Sequence, residues 1–402
     1  VIARRGNFAP YNRRKIELSV LDSVMWISMI AFPYNTIYLS EIGLSSSTIG
    51  IVVALSGIAS IVMQPLWGNI SDSKLGVRKT LLIVVAMSSA MTLFMVVFKS
   101  AALIISAFVL RAFSVGPILT LIDNYIVEEC AVSGKKMNYG NIRLWGSAAF
   151  AAGAAAIGVV SQIYGLRSIF AIQAGLMALL IVAVIKFVPE TGAHINEQFD
   201  KVRKKGFNRD IFTKAFIVFV IILFISMIPD TAANTFFPLA FKAAGGSLYM
   251  LGLGSSLRAV IEIPFFKISG RIINKLGSLI MVFVAIGLNA FRMLGFVFFK
   301  DPNLMFVTNL IAAPSYVLLT TGMLHYVYEI APEGSKSTAQ MIVSSLCLSL
   351  TGVLSSSTGG YILESFGFSK MALGGFVIIV FALFFMAAMQ RKTAAQKEKD
   401  RL

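Results

Sequence analysis

The sequence predicts an all-α membrane protein, with twelve transmembrane helices arranged as two pseudo-symmetric six-helix bundles. Three observations carry this expectation. First, hydrophobic residues make up 57% of the 402 positions and charged residues only 13%, against roughly a quarter charged in an ordinary soluble domain. This composition excludes an ordinary soluble enzyme and a disordered chain. Second, the apolar residues fall into twelve runs, and roughly 20 residues per bilayer crossing plus short turns fit a chain of this length. Third, the longest polar stretch separates runs six and seven, near the middle of the chain.

In chain order the runs lie near 16–40, 47–70, 80–98, 102–127, 140–162, 168–188, 212–239, 249–272, 279–299, 303–328, 337–363 and 371–390. The first is long enough to span and is expected to act as its own insertion signal, since no cleavable signal precedes it. Pro33, Pro65, Pro117, Pro229, Pro238, Pro264 and Pro314 lie in or near runs and predict kinks or local breaks. Such irregular backbone is tolerated where it lines a cavity. The expected organisation is an N-terminal six-helix bundle (1–188), a cytoplasmic linker (189–211) and a C-terminal six-helix bundle (212–402) ending in a basic cytoplasmic tail. A weak repeat supports two similar halves. Residues 43–72 align without a gap on 245–274, matching Gly43 with Gly245, Gly50 with Gly252, Leu55 with Leu257 and Gly68 with Gly270. Repeated halves place a substrate site between them, near the midplane.

The chain carries 35 Lys+Arg against 19 Asp+Glu, a formal charge of +16. Such a surplus elsewhere suggests nucleic acid, but here the basic residues sit in short segments between apolar runs, so no nucleic-acid partner is expected. Of the 35, 26 fall in the two termini and the loops and run ends on their side, five (Lys99, Arg167, Lys242, Lys300 and Lys370) on the other side, and four (Arg111, Arg143, Arg258 and Arg292) deeper inside runs. Positive residues concentrate on the cytoplasmic side. The expectation is a multi-pass plasma-membrane protein, monomeric, with both ends cytoplasmic and lipid around it.

Two cysteines, Cys130 and Cys347, cannot build a disulfide framework and are expected to pack as small apolar residues. Two histidines make a metal site improbable, and His325 is read as structural. No glycine-rich phosphate loop followed by Lys-Ser/Thr occurs, so ATP use is unsupported. No nucleophile–His–acid set is readable. The chain is therefore expected to be no enzyme and to use no cofactor, only a proton gradient.

Certain motifs sharpen the reading. After run two stands Gly68-Asn69-Ile70-Ser71-Asp72-Ser73-Lys74-Leu75-Gly76-Val77-Arg78-Lys79. It resembles the signature loop of the major facilitator superfamily, with one extra residue before Gly76. A degenerate copy runs from Gly270 to Gly277. Tyr139-Gly140-Asn141-Ile142-Arg143-Leu144-Trp145-Gly146-Ser147, Glu262-Ile263-Pro264-Phe265-Phe266 and Gly360 to Phe368 look like the branch containing lactose permease, nucleoside proton symporters and phenylpropionate permease. The resemblance implies the major facilitator fold and a solute-binding arginine early in helix five, matching Arg143. It also implies an acid late in helix four, for which Asp123 is nearest, and an arginine in helix nine, matching Arg292. The His and Glu of helix ten have no match in Ile311-Ala312-Ala313-Pro314-Ser315. The galactose-stacking tryptophan is Phe150 here, which speaks against lactose. The loop residues Gly68, Asp72, Arg78 and Lys79 would form a gating latch.

The charges inside runs carry the chemistry, because a charge at the bilayer centre is costly unless it faces a cavity or a partner. At 1.5 Å per residue, Asp22, Asp123 and Arg143 fall at similar depth and are expected to cluster. An acid and a guanidinium together bind a polyhydroxylated solute. The alternative is a salt bridge that only holds helices. Trp26, Asn124, Phe150, Asn234 and Arg292 complete the expected substrate-binding set, with Tyr34, Asn35, Tyr125 and Tyr316 as further cavity candidates. Arg258 and Glu262 stand four apart on one helix face. With Asp230 they form the expected proton-coupling set, since desolvation favours a neutral carboxyl and nearby cations a charged one. The alternative is a fully paired, permanently ionised network. Arg111 needs an acid, for which Asp22 is a candidate.

The leading expectation is proton-coupled symport of a small polar organic solute (oligosaccharide, nucleoside or aromatic acid) by alternating access. The alternative is a proton-coupled exporter of drugs, sugars or amphipathic lipids. A receptor or membrane enzyme on this scaffold is a third class.

Overall fold

Proline and glycine decide where these apolar runs bend and turn. The computed structural model describes residues 11–133, 137, 139–190, 211–332 and 335–399, from 389 on by backbone alone. Most of the expected linker, the basic residues Arg4, Arg5, Lys135 and Lys136, and the side chains of the basic tail lie outside the described residues.

The first crossing is broken. Helix α1 (Tyr11–Ile27) gives way to tight turns and a short 3-10 helix (Phe32–Tyr34) before α2 (Asn35–Glu41) resumes. Pro33 lies in the break; it lacks an N–H and its ring clashes with the preceding turn. Helix α3 (Ser46–Ile70), a π-helical turn (Ser71–Leu75) and α4 (Gly76–Val97) follow, then α5 (Ala101–Val132), α6 (Tyr139–Tyr164) and α7 (Leu166–Phe187). The second half opens with α8 (Lys214–Ala243), α9 (Leu248–Leu276) and α10 (Ser278–Phe298). Helices α11 (Pro302–Leu310) and α12 (Ala312–Ile330) share a crossing interrupted at Ile311. Helix α13 (Lys336–Ser344), a second π-helical turn (Ser345–Leu350), α14 (Thr351–Phe366) and α15 (Phe368–Lys399) complete the described chain.

Among the described residues eleven helical stretches are long and apolar enough to cross a membrane. One of them, Ser46–Val97, has 52 residues, about 78 Å at 1.5 Å each, while the hydrocarbon core is about 30 Å thick. It makes two crossings joined at the π-helical turn and Gly76, which gives the twelve expected from the runs.

The halves repeat one backbone plan. Gly43, Gly76 and Gly165 turn the chain with φ of 91°, 76° and 80°, and Gly245, Gly277 and Gly367 do so with 92°, 86° and 79°. These values lie where only glycine sits without strain. The interval from Gly43 to Gly76 is one residue longer than that from Gly245 to Gly277. The surplus residue of the signature loop is absorbed in the π-helical turn Ser71–Leu75, a form in which one extra residue widens a helical turn.

By contacts the chain divides into two compact units. Unit 1 comprises Val1–Asn35 and Ala59–Glu197; unit 2 comprises Thr36–Ile58 and Gln198–Leu402. In unit 1, α4 packs on α5 and α7, and α1 on α6 and α7. Leu18, Leu21 and Met25 of α1, Val84 and Val85 of α4, and Met177 of α7 are buried in its core. Gly116 of α5 admits α3 closely, since a β-carbon there would stand 2.1 Å from Ser60 Oγ. Unit 2 has the matching neighbours: α10 packs on α12 and α15, and α8 on α14 and α15.

The hairpin Thr36–Ile58 joins unit 2 through specific contacts. Lys242 Nζ of α8 lies 2.6 Å from Glu41 Oε1. The Ser47 backbone N–H, at the start of α3, donates to Glu364 Oε2 of α14 at 2.7 Å. At Gly50 the two backbones nearly touch, and a β-carbon there would stand 2.2 Å from the Ser356 carbonyl oxygen.

Candidate functional site

In unit 1 the α1–α6 contact brings the expected charges together. Asp22 and Trp26 are one turn apart on α1, and Gly146 on α6 faces both. A β-carbon on Gly146 would stand 2.1 Å from Asp22 Oδ2 and 2.6 Å from Trp26 Cδ1. Arg143, one turn before Ser147, lays its guanidinium carbon 3.8 Å from the centre of the Trp26 ring and donates to Ser147 Oγ at 2.9 Å. Phe150 meets Trp26 edge-on, with ring centroids 6.5 Å apart. From α5, Asp123 accepts the Tyr139 hydroxyl at 3.1 Å. Asp22 is fully buried, against the Trp26 indole and the Gly146 backbone. Arg143, Asp123 and Trp26 are half-buried. Asn124 is exposed and takes no part in these contacts. The group offers an aromatic face, a cation and two acids, the set that grips a polyhydroxylated ring.

In unit 2 a second group centres on Arg292 of α10, which has no exposure. Its Nη2 lies 2.6 Å from Asp230 Oδ1 on α8. Its Nη1 donates to Asn234 Oδ1 at 2.9 Å and Asn309 Oδ1 at 3.4 Å. Asn234 Nδ2 donates to Asp230 Oδ2 at 3.2 Å, closing a ring of bonds. Asn309 stands at the end of α11, beside the interruption at Ile311, so the broken crossing supplies one of the arginine's acceptors. Arg258 on α9 lies within electrostatic reach of Arg292. Arg258 and Glu262 are both half-buried on α9, and Glu262 is engaged in an interaction of its own.

Arg111 corrects its expected pairing. No acid is among its partners. It donates to Gln173 Oε1 at 3.0 Å and Asn35 Oδ1 at 3.1 Å, between the rings of Phe108 and Phe170. Gln173 in turn donates to the Ser28 carbonyl at 3.0 Å, which the break in the first crossing leaves free. Gln173 thus satisfies that carbonyl, and neutral amide oxygens hold the Arg111 guanidinium beside it.

In the signature loop, Arg78 donates to the Ile185 carbonyl at the end of α7 at 2.9 Å, and Lys79 pairs with Glu190 at 3.3 Å. Asp72 is half-buried in the π-helical turn and forms no ion pair among the described residues. A β-carbon on Gly68 would meet nothing within 4 Å.

Sequence reasoning named the ionised members of both groups and missed Tyr139, Ser147, Gln173 and Asn309. Gln173 and Asn309 carried a usable signal, as intramembrane amides. Tyr139 and Ser147 carried none beyond lying in the motif around Arg143.

Comparison with known proteins agrees with this architecture. Residues 26–392 match the MFS_1 like family. The chain is 29% identical over 376 residues to the maltose permease of Geobacillus stearothermophilus, covering 92% of each chain. It is 28% identical over 337 residues to the uncharacterized transporter YwbF of Bacillus subtilis strain 168, covering 83% of this chain and 82% of that one. A crystal structure of a variant of the nucleoside transporter NupG superposes with a TM-score of 0.79 at 15% identity, covering 94% of this chain and 100% of that one. The chain belongs to the MFS_1 like family and is a multi-pass membrane transporter of the major facilitator superfamily, not an enzyme.

Proposed function

We propose that the protein imports a sugar together with protons by alternating access, an oligosaccharide before a nucleoside or an aromatic acid. The observation that carries the reading is the guanidinium of Arg143 laid on Trp26 with Asp22 and Asp123 beside it. A pyranose ring stacks on an indole face, and its hydroxyls accept from a guanidinium and donate to a carboxylate. The relationship to a maltose permease over nearly the whole chain supports a sugar. In this reading Arg143, Asp123, Trp26 and Phe150 hold the solute from unit 1. Asn234 and Arg292 of unit 2 are further substrate-binding candidates, and Glu262, Asp230 and Arg258 are the acids and cation available for coupling. Gly68, Asp72, Arg78 and Lys79 act as a gate. Both termini face the cytoplasm and the monomer is the working unit.

Binding tests the substrate class. Purified protein is titrated with maltose, sucrose, uridine and phenylpropionate, and bound ligand is read by calorimetry. A sugar is expected to bind, and Arg143→Ala is expected to weaken that binding by about tenfold or more, the worth of a hydrogen bond to a charged group. Preference for an amphipathic dye over every sugar would instead favour export.

A further inference from the structure

We infer that Gln340 and Ser344 of α13 are a second pair of sugar-hydroxyl ligands, supplied by unit 2, an inference that rests on the sugar reading above. The repeat locates the pair. Helix α6 ends at Gly165 and the corresponding crossing of unit 2 ends at Gly367, both with positive φ. Counted back from these glycines, burial matches position for position. Gly153, Ala154, Ile157 and Gly158 are buried, and so are Ser355, Ser356, Gly359 and Gly360. The match breaks at the π-helical turn Ser345–Leu350, a form that absorbs one surplus residue. Before that turn it resumes with the register shifted by one, so that buried Ile142 and Gly146 correspond to buried Val343 and Cys347. Ser344 therefore stands at the place of Arg143, and Gln340 at the place of Tyr139. All four are half-buried.

The remaining places of the unit 1 group follow in the same way. Burial from Leu121 to Cys130 of α5 repeats from Gly322 to Ala331, which puts Leu324 at the place of Asp123. Burial from Leu18 to Ser23 of α1 repeats from Phe219 to Phe224 of α8, which puts Leu223 and Met227 at the places of Asp22 and Trp26. Unit 2 thus keeps the positions and drops the ions. Among these places only Gln340 and Ser344 are polar.

Both have bonding capacity to spare. Gln340 Nε2 donates to Ser344 Oγ at 3.4 Å, while Gln340 Oε1 is buried without a partner. Ser355 and Ser356 spend their hydroxyls on carbonyls one turn back, whereas Ser344 Oγ donates to no group among the described residues. A buried amide oxygen left unpaired is costly, and a solute hydroxyl relieves that cost by donating to it. The same hydroxyl, or its neighbour on a pyranose ring, accepts from Ser344 Oγ. An aromatic acid finds no cation at these places, and its carboxylate meets an amide oxygen. The pair selects a neutral, hydroxylated solute.

The test is calorimetric titration of the full chain in detergent with maltose and with singly deoxygenated maltoses. Gln340→Ala is expected to weaken maltose binding about two- to tenfold, the worth of a neutral hydrogen bond. It is also expected to stop distinguishing maltose from the deoxy analogue that wild type rejects. Met341→Ala, next along the chain and exposed, is expected to change neither. Unchanged binding in both Gln340→Ala and Ser344→Ala overturns the inference. So does weaker binding with wild-type preferences among the analogues, the result of a merely structural role. If Gln340→Ala does not fold, Gln340→Met, of similar shape without donor or acceptor, decides by the same readings. If wild-type protein binds no maltose, the sugar reading fails by itself, and the pair is read from the reaction of Ser344→Cys with a water-soluble maleimide. Reaction slowed by uridine, another neutral hydroxylated solute, supports the pair. A thiol that does not react, or whose rate uridine leaves unchanged, overturns it.

Discussion

Arg292 and Arg111 are both guanidiniums taken out of water, and their company differs. Arg292 has a carboxylate at 2.6 Å and two amide oxygens. Arg111 has two amide oxygens and two aromatic faces. Removing one partner of a buried ion pair costs about 3–5 kcal/mol, because the other charge stays behind, whereas losing one hydrogen bond to a charged group costs about 1.5–3 kcal/mol. Asp230→Ala is therefore expected to destabilise the protein more than Gln173→Ala, as measured by thermal unfolding in detergent. Equal losses would mean that Arg292 finds water or another acid when Asp230 is gone. The ionised residues at these places were readable from sequence, since a charge inside an apolar run is conspicuous. Their partners were less so. Asn309 and Gln173 are neutral, and which of several amides meets a given arginine is settled by helix packing. The expectation that Arg111 needs an acid fails because amide oxygens and ring faces together solvate a guanidinium.

At the scale of elements, hydropathy located every crossing, because a bilayer admits little but long apolar helices. The proline at position 33 likewise marked the break between α1 and α2. Pro314, which cannot bond the Leu310 carbonyl four residues back, marked the interruption at Ile311. Of the two π-helical turns, the surplus residue before Gly76 marked the first, and Ser345–Leu350 left no mark, since a widened turn needs no special residue type. One of them is testable through the repeat. Deleting Ser73, which is exposed, should turn Ser71–Leu75 into an ordinary helical turn like that before Gly277, and the variant should fold with near wild-type stability. Deleting Val84 from α4, which is fully buried, rotates the rest of that helix by about 100° and should abolish folding. Circular dichroism melts decide, and equal damage from both deletions would contradict the account of the extra residue. The hairpin Thr36–Ile58 makes a second case. A leucine at position 50 has no room against the Ser356 carbonyl oxygen, so Gly50→Leu should detach α3 from α14. A disulfide trapped between cysteines at Ser47 and Glu364 in the parent chain should then fail to form. Unimpaired crosslinking would show that the close approach is dispensable.

For the whole molecule, the proposed topology puts the basic loops in the cytoplasm. A cysteine at Lys74 should react with an impermeant reagent only in inside-out vesicles, and one at Lys300 only in right-side-out cells. The reverse pattern would invert the topology. The central claim is that the buried charges serve the coupled movement of a sugar and protons. It is tested most directly by uptake of radiolabelled maltose into liposomes containing the purified protein, with the outside made acidic. The account predicts accumulation above the external concentration, its collapse when a protonophore dissipates the gradient, and none with Arg143→Ala protein of wild-type melting behaviour. Maltose uptake that ignores the gradient, or undiminished accumulation by Arg143→Ala, would contradict it.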